Sequence, residues 1–454
     1  MRLKYLLPVL LAAGLSTAAL ANPYETTLKN GLRIIVKEDH RAPTAVQMVW
    51  YRIGSTDEVD GASGVAHVLE HMMFKGTPSV GPGEFNKRVA AAGGRDNAFT
   101  SRDYTAYFQQ VPKEKLEEMM QLEADRMRHL NVDAKEFEQE IKVVMEERRM
   151  RTDDNPQAKL FEQMNAVAFQ AHPYRRPIIG WMNDLETMTA ADAKAWYDTW
   201  YVPNNAYVVI SGDVEHKAVF ALAEKYYGPL EGRALPARRQ QIEPAQEGTR
   251  RVNVKAPAEL PVLIMGYKAP IIRDIDQDSD PYALQMLAAI LDGHDAARFN
   301  KKLVREDKVA LSAGIDYDNT ARGPGMIYLH GSPSEGKTVA DLEAALRAEI
   351  VRVQKDGVSA AELKRAKAQL LASEVYKLDS VMNQARELGN LWAQGLPLDT
   401  GERLIQRLRQ VSAAQVQVVA AKYFGDDQLT VAALRPQPLD PARKKRAPPA
   451  GSRH

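Results

Sequence analysis

The sequence of 454 residues contains no cysteine. This excludes disulfide bonds and thiol chemistry, so packing or a bound metal ion must hold the fold together. The chain also has no excess of one charge, because its formal net charge is only +1. Its overall electrostatic field therefore does not favour nucleic acid or an acidic substrate. After the N-terminus no apolar run reaches the roughly 20 residues that a membrane helix needs, so we expect no stable membrane insertion. With 45% hydrophobic and 26% charged residues, the chain is predicted to be globular, with two or more domains.

The first residues carry the three parts of a secretory signal peptide. Arg2 and Lys4 supply positive charge, residues 6–15 are apolar, and Ala-Leu-Ala at 19–21 is a small-residue cleavage site. We therefore predict that residues 1–21 are a signal peptide and that the mature protein begins near Asn22 in a bacterial periplasm. An uncleaved membrane anchor is the alternative, although the apolar run is short for a membrane span.

Two stretches, 189–209 and 412–432, resemble each other: TAADAKAWYDTWYVPNNAYVV and SAAQVQVVAAKYFGDDQLTVA. Each begins with Thr or Ser followed by Ala-Ala, continues to an aromatic pair and a polar turn, and ends in a β-rich segment. A repeat of this kind predicts an internal duplication, in which two halves share one fold. Two unrelated helix-turn-strand units are the alternative.

Hydrophobic periodicity predicts both strands and helices in each half, in an order that favours an α+β fold over alternating βαβ units. The pattern predicts hairpin strands over 31–39 and 44–55, a buried strand over 206–214, and helices over 113–130, 134–150 and 213–226.

A stretch from about 228 to 250 is rich in Pro, Gly, Arg and Gln, lacks apolar periodicity and predicts a linker between the halves. The C-terminal stretch is basic and rich in Pro, which predicts disorder, and its few charges offer only weak, salt-sensitive affinity for nucleic acid or membranes. The predicted division is an N-terminal domain with the functional site over 22–235, a linker over 236–250, a C-terminal domain of similar fold over 251–436, and a disordered tail over 437–454.

The stretch GVAHVLEHMMFKGT, residues 64–77, places two histidines and a glutamate within five positions of a chain that has only 9 histidines. On a helix, His67, Glu70 and His71 lie on one face, and the apolar residues lie on the opposite face. Gly76 marks the end of the helix. The sequence therefore predicts an HxxEH face backed by the core.

Histidines four residues apart on a helix direct their imidazole nitrogens at one ion, and zinc suits that pairing. A neighbouring glutamate that does not ligate can hold a water molecule and take its proton. A solvent-facing polar stripe with two incidental histidines is the alternative. Because a hydrolytic zinc site usually has three protein ligands, a third ligand must come from elsewhere in the chain.

The helix predicted over 134–150 is the best source of that third ligand. Glu146 points away from its apolar stripe, whereas Glu140 and Glu147 lie two turns apart at the edge of the buried stripe. Periodicity therefore favours Glu140 and Glu147 over Glu146. Edge carboxylates that only pair with arginine or lysine are the alternative.

At these residues the chain resembles the pitrilysin/insulinase metallopeptidases, the inverzincins, which carry H-x-x-E-H in place of H-E-x-x-H. The resemblance covers nearly the whole mature chain, and the type resembled is the two-domain bacterial half-chamber protein, similar to the subunits of mitochondrial processing peptidase. The matching stretches are NGLRIIV, GSTDEVDGASGVAHVLEHMMFKGT, GGRDNAFTSRDYTAYF, EIKVVMEERRMRTDDNP, HPY and WYVPNNAYVVISGDV.

The resemblance implies one zinc ion per chain, bound by His67, His71 and Glu147. It implies that Glu70 is the general base that activates water. It also implies that Glu140 orients one of the ligand histidines.

In the family an edge strand pairs with the substrate backbone, and the matching residues here are Asn97, Ala98, Phe99 and Thr100. An ordinary turn at Asn97 is the alternative. The fold that the resemblance implies is a pair of similar α+β halves, four of which close around a chamber. This chain carries two halves, so a complete chamber needs a second two-half chain.

The second half departs from the family pattern in the stretch LVREDKVALSAG. Members that work alone or as homodimers carry an Arg and a Tyr seven residues apart here, and these grip the substrate and the reaction's oxyanion. This chain has Val304 and Leu311 at those positions, and neither side chain can donate a hydrogen bond. A one-residue slip brings in Arg305, but the nearest tyrosine is Tyr317. We therefore expect a partner chain to supply the Arg/Tyr pair, in a heterodimer rather than a homodimer.

The sequence thus predicts a periplasmic zinc-dependent endopeptidase that hydrolyses peptides or unfolded segments. The alternative is a binding or assembly subunit that kept the fold and lost catalysis. Such subunits usually have a broken HxxEH motif, whereas here the motif is complete.

Overall fold

The computed structural model describes residues 23–439. The predicted signal peptide and most of the predicted tail lie outside the described residues. The fold is α+β, as predicted, with two mixed β-sheets and helices packed against both. Within residues 23–439, no helix combines the length and the apolar character that a membrane crossing requires.

The first sheet and its helices come from the N-terminal half. Its strands are β1 (Tyr24–Thr27), β2 (Arg33–Glu38), β3 (Thr44–Tyr51), β4 (Arg95–Thr100), β5 (Thr105–Pro112) and β6 (Ala206–Gly212), in the spatial order β1-β2-β6-β3-β5-β4. Strands β2 and β6 run parallel, and the other neighbours are antiparallel. The helices are α1 (Val65–Met72), α2 (Glu84–Ala91), α3 (Leu116–His129), α4 (Ala134–Arg148), α5 (Pro156–Ala168), α6 (Met182–Thr187), α7 (Ala190–Trp200) and α8 (His216–Tyr226).

The second sheet and its helices come from the C-terminal half. Its strands are β7 (Arg250–Pro257), β8 (Val262–Ala269), β9 (Ala310–Tyr317), β10 (Gly325–Pro333) and β11 (Leu429–Gln437), in the order β7-β11-β8-β10-β9. Strands β7 and β11 run parallel, and the other neighbours are antiparallel. The helices are α9 (Asp280–Asp292), α10 (Val339–Asp356), α11 (Ala360–Lys377), α12 (Val381–Gln394), α13 (Thr400–Gln410) and α14 (Ala413–Tyr423).

The two halves repeat one topology, which confirms the predicted duplication. Apart from β1, each sheet runs first, fifth, second, fourth, third in the chain order of its own strands, with a parallel pair at one end. The two sequence stretches that resemble each other occupy equivalent places. Helices α7 and α14 both begin with capping boxes, at Thr189 and Ser412, and each leads through a short 3₁₀ turn into the last strand of its sheet.

The predicted hairpin between β2 and β3 is wrong. Both strands exist, but β6 lies between them, parallel to β2 and antiparallel to β3, and β2 pairs on its other side with β1. The reason lies in β6 itself, since all seven of its residues are buried. A strand that is apolar on both faces is favoured in the interior of a sheet.

Each sheet is covered on one face by a helix from the other half, and we call α5 and α12 the crossing helices. Helix α5 packs on β7, β8 and β11, and α12 packs on β3 and β6. Leu160 and Met164 of α5 share a buried cluster with the second sheet, and Met382, Ala385 and Leu388 of α12 share one with the first. The two halves are therefore interlocked.

The contact between α12 and the first sheet depends on Gly389. A Cβ atom at this position would lie only 1.9 Å from Cε2 of Trp50 on β3. Because Gly389 has no side chain, the buried Trp50 ring packs directly against the helix backbone.

Candidate metal centre

Helix α1, which carries the HxxEH motif, is buried along its whole length. Its first turn is capped by Glu58, whose two carboxylate oxygens accept hydrogen bonds from the backbone N–H groups of Gly64 and Ala66, both at 2.9 Å. Burial raises the pKa of Glu58 to about 8, although these two hydrogen bonds oppose the rise. Glu58 therefore fixes where α1 begins and which way its polar face points.

Two glycines bring the loop over 175–180 against the start of α1. Gly64 and Gly180 have φ angles of 89° and 87°, which favour glycine. A Cβ atom on Gly64 would lie 2.6 Å from the carbonyl oxygen of Ile179, and one on Gly180 would lie 2.4 Å from that of Ser63. Only glycine fits this close approach of two backbones.

The side chains of His67, His71 and Glu147 converge, because α4 packs against α1. Their ligand atoms all lie within 4.8 Å of one another. Oε2 of Glu147 is 3.2 Å from Nε2 of His71 and 4.0 Å from Nε2 of His67. All three side chains are buried, and Glu147 has no exposed area. Of the two glutamates that periodicity favoured, Glu147 is the one that faces both histidines.

This donor set fits a zinc ion. Two imidazole nitrogens and one carboxylate oxygen are ligands that zinc prefers, and tetrahedral bonds to zinc separate neighbouring ligand atoms by roughly 3.3 Å. The two measured separations, 3.2 and 4.0 Å, are close to that value. A cation there also joins Arg151 in balancing the buried negative charge of Glu147, since a buried charge without partners is costly.

Glu140 lies behind His71. Nδ1 of His71 donates to Oε1 of Glu140 at 2.8 Å, and Lys75 forms an ion pair with the same carboxylate. Burial raises the pKa of Glu140, but the hydrogen bonds from His71 and Lys75 outweigh it, so the net pKa is lowered and the group is ionised at neutral pH. Glu140 therefore fixes the ring of His71 with Nε2 directed at Glu147.

His71 and Glu147 form a buried ion pair, which shifts the pKa values of both groups. Burial lowers the pKa of His71, but hydrogen bonds to Glu140 and Glu147 outweigh burial and raise it to about 9. Burial raises the pKa of Glu147, but the hydrogen bond with His71 and the neighbouring positive charges lower it to about 2. Since a metal ligand must be neutral imidazole, metal binding below pH 9 has to displace a proton from His71.

Glu70 lies beside the three ligands and is 3% exposed. The hydroxyl group of Thr100 donates a hydrogen bond to Oε2 of Glu70. Burial raises the pKa of Glu70 to about 7, although the hydrogen bond from Thr100 opposes this. A carboxylate with such a pKa can accept and release a proton near neutral pH.

A cavity of about 520 Å³, which we call the site cavity, opens onto His67, Glu70 and Glu147. Strand β4 forms one wall, and it is the last strand of its sheet, paired with β5 alone among the described strands. Three of the four predicted substrate-binding residues, Ala98, Phe99 and Thr100, line the cavity. The fourth, Asn97, is a strand residue opposite Phe108 rather than part of a turn.

The residues at the family's Arg and Tyr positions lie elsewhere. Val304 packs against the core of the C-terminal half, and Leu311 is 57% exposed on β9. Arg305 is exposed, and the hydroxyl of Tyr317 donates to the carbonyl oxygen of Pro270. The residues that line the site cavity run from His67 to Ile179, so all of them belong to the N-terminal half.

Sequence reasoning missed several contacts of this site. Arg151 lies 2.6 Å from Oε1 of Glu147, and the spacing of four residues on a helix is a signal that could have found it. The hydrogen bond from Thr100 to Glu70 depends on the packing of β4 against α1, which local patterns do not contain. The cap at Glu58 has no local signal either, because a loop separates it from α1.

Comparison with known proteins matches the chain to one family. A family model described as Insulinase (Peptidase family M16) matches residues 33–181, and one described as Peptidase M16 inactive domain matches residues 187–370. The chain is 32% identical over 418 residues to the zinc protease PqqE of Helicobacter pylori, which covers 90% of this chain and 92% of that protein.

Solved structures give the same result for the fold. The crystal structure of a protease from Helicobacter pylori has a TM-score of 0.86 and 30% sequence identity, and covers 91% of this chain and 99% of that one. The periplasmic protease PqqL from Escherichia coli, at 20% identity, has a TM-score of 0.79, and 93% of this chain matches 49% of that chain. The resemblance inferred from the motifs is confirmed, and the chain belongs to the insulinase family of peptidases, M16.

Proposed function

We propose that this chain is a zinc-dependent endopeptidase that hydrolyses peptides or unfolded segments in the periplasm. The observation that carries the proposal is the buried convergence of His67, His71 and Glu147 beside Glu70, within a cavity walled by an edge strand. The relatives named as zinc proteases support this activity. The predicted signal peptide supports the location.

In this proposal His67, His71 and Glu147 hold one zinc ion. Zinc supplies Lewis-acid chemistry there: it polarises a carbonyl oxygen and lowers the pKa of a water molecule that it binds. The carboxylate of Glu70 accepts a proton from the attacking water and later donates that proton to the nitrogen of the leaving amine. Thr100 holds the carboxylate of Glu70 in place, and Glu140 does the same for the ring of His71.

The open edge of β4 binds the substrate as an added strand. Backbone groups of an edge strand pair with an extended peptide whatever its sequence, which suits a peptidase with many substrates. Strand β4 ends at Thr100, and Thr100 contacts Glu70. A peptide paired along Asn97–Thr100 is therefore delivered with a backbone carbonyl next to Glu70.

We propose further that a second two-half chain of this family completes the site in a heterodimer. In the family that this chain resembles, an Arg/Tyr pair from the second half grips the oxyanion, whereas the residues lining the site cavity here all precede residue 180. The side chains of Val304 and Leu311 offer no hydrogen-bond donor. The match of this chain to 49% of PqqL supports a complete protease of about twice this length.

The decisive test is cleavage of a quenched peptide of about fifteen residues by the mature protein, with zinc content measured in parallel. We expect the Glu70→Gln variant to keep one zinc per chain and to lose turnover, because the proton acceptor is gone while the ligands remain. Glu146→Gln is the matched control, since Glu146 lies on the same helix as Glu147 but pairs with Arg149.

Peptide cleavage that persists in the Glu70→Gln variant would refute the role of Glu70 as the general base.

The same assay tests whether a second chain is needed. If the wild-type chain alone cleaves peptides at a rate on the order of several per second, typical of enzymes, no second chain is needed. If the zinc-loaded chain alone does not cleave the peptide, and cleavage appears when a family member carrying the Arg/Tyr pair is added, the result supports the heterodimer. Silence with and without such a partner would favour a catalytically silent binding subunit instead.

A further inference from the structure

Arg102 lies at the junction of two cavities. It lines the site cavity and also a neighbouring cavity of about 440 Å³. It follows Thr100, the last residue of β4, by two positions, so their Cα atoms are at most about 7 Å apart. Since Thr100 contacts Glu70, the backbone of Arg102 lies within one or two peptide units of the reaction centre.

The ring of Tyr174 holds the guanidinium of Arg102, whose Cζ lies 4.8 Å from the centre of that ring. The ring is fixed in turn, because the hydroxyl of Tyr174 donates to Asp103 at 2.6 Å. A guanidinium stacked on a fixed ring loses little freedom when it binds a planar carboxylate.

No carboxylate within residues 23–439 forms an ion pair with Arg102. Asp103 is next in sequence but is 4% exposed, and its oxygens accept hydrogen bonds from Thr56, Tyr174 and the backbone N–H of Arg322. Arg102 is half-buried and lines both cavities without an ion pair to any of the described carboxylates.

The other arginines of the site cavity have acidic partners. Arg151 pairs with Glu147 at 2.6 Å, and Arg175 pairs with Asp60 at 2.5 Å. Arg176, which is almost fully buried, also pairs with Asp60. Arg102 is therefore the arginine of this cavity that has an oriented guanidinium and a free place for an acid.

We propose that Arg102 selects substrates by binding a peptide carboxylate within a few residues of the scissile bond. This inference rests on the proposed peptidase function and adds a substrate class to it, namely peptides with an acidic group at one subsite. The exposed Asp316 and Asp318 line the neighbouring cavity and repel an anion there. The carboxylate therefore binds Arg102 from the side of the site cavity.

The test measures peptide binding rather than turnover, using the full mature chain loaded with zinc and carrying Glu70→Gln. The probes are labelled peptides of about fifteen residues with an amidated C-terminus that differ by Glu or Gln at successive positions. A third set keeps Gln and has a free C-terminal carboxylate, which distinguishes a terminal carboxylate from a side chain.

We expect the preferred Glu peptide to bind about 10- to 100-fold more tightly than its Gln counterpart, as is typical of a charge-assisted pair that is partly shielded from water. Adding Arg102→Gln should reduce this ratio to near one. Arg102→Glu should reverse it in favour of a peptide with Lys at the same position. Arg102→Lys keeps the charge but loses the planar fork, so it should keep only part of the preference.

Arg175→Gln is the matched control, because it removes one positive charge from the same cavity at a residue that already has an acidic partner. It should leave the Glu-to-Gln ratio unchanged, whereas a general field effect would lower the ratio in both variants. Zinc content and circular dichroism check that each variant is folded.

A ratio near one before any change at Arg102, or a ratio that Arg102→Gln leaves intact, overturns the inference, and so does the absence of binding by any peptide. The readout is separate from that of the proposed function. One outcome is that Arg102 distinguishes Glu from Gln peptides while the wild-type chain cleaves no peptide, alone or with a partner. That combination would contradict the peptidase activity and leave the carboxylate-binding role of Arg102 intact.

Discussion

At the scale of single residues, the proton affinity of Glu70 depends on one neighbouring hydroxyl group. Burial raises the pKa of Glu70 to about 7, and the hydrogen bond from Thr100 holds it below the value that burial alone would give. A general base works only when ionised, so activity falls as the pH drops through this pKa. A bound dication pulls the pKa lower still, because it favours the charged carboxylate.

We therefore expect Thr100→Ala to raise the pKa of Glu70 and to move the acidic limb of the kcat/KM profile to higher pH. Thr100→Ser keeps the hydroxyl and should leave the limb near its wild-type position. The measurement is kcat/KM against pH for the three proteins with one peptide. Identical acidic limbs for wild type and Thr100→Ala would show that the hydrogen bond does not tune the base.

A second prediction concerns the carboxylate behind His71. Replacing Glu140 by Gln removes the charge that orients His71 and leaves Lys75 without its ion pair. We expect zinc affinity to fall about 10- to 100-fold, as is usual when the partner of a metal-bound histidine is lost. Titration of the zinc-loaded protein with a chelator measures this. Glu146→Gln serves as the control on the same helix, and equal affinities for wild type and Glu140→Gln would contradict the role.

At the scale of helices and strands, the fit of α12 on the first sheet is tight enough to exclude a methyl group. We expect Gly389→Ala to destabilise the protein by about 1–3 kcal/mol, the usual cost of overpacking a core. This loss should appear even though alanine is favoured over glycine inside a helix by about 1 kcal/mol. Gly425→Ala is the control, since the nearest atom to its Cβ is 3.9 Å away.

Denaturant unfolding of both variants measures the difference. If Gly389→Ala is as stable as Gly425→Ala, the helix can shift away from Trp50 at little cost. Such a result would mean that α12 is a loose cover rather than part of the core of the first sheet.

Sequence patterns predicted some of these helices, strands and site residues correctly and others incorrectly. Periodicity identified α1, placed His67, Glu70 and His71 on one face, and narrowed the third ligand to Glu140 or Glu147, because a helix fixes which side chains share a face. Periodicity could not decide which of these two glutamates faces both histidines, because the answer depends on how α4 packs against α1. It also misplaced β3, because the neighbour of a strand is chosen by the whole sheet, and β6 arrives from far along the chain.

At the scale of the whole molecule, the duplication was visible in the sequence, but the interlocking of the halves was not. The repeat appears as two matching helix-turn-strand stretches. The crossing helices lie outside those two stretches, and a linker rich in Pro and Gly suggests separable domains. Only the packing of α5 and α12 shows that each half completes the other.

After proteolytic cleavage of the linker, the two fragments should therefore remain associated. We expect a protein with a specific protease site introduced beside Ile242, which is 83% exposed, to run as a single species in gel filtration after cleavage and to keep its zinc. Denaturant should be needed to part the two fragments, because each carries a helix buried in the other's sheet. Separate elution of the fragments in buffer would show that the crossing helices contribute little.

The position of α12 in the sequence also sets the order in which the protein is finished. The face of the first sheet that α12 covers includes Val46, Met48 and Trp50, which are made early. The helix that covers them is made much later and ends at Gln394. During synthesis, before α12 has been made, this apolar face is uncovered. The newly made N-terminal half therefore exposes this apolar face until the chain has been made as far as Gln394.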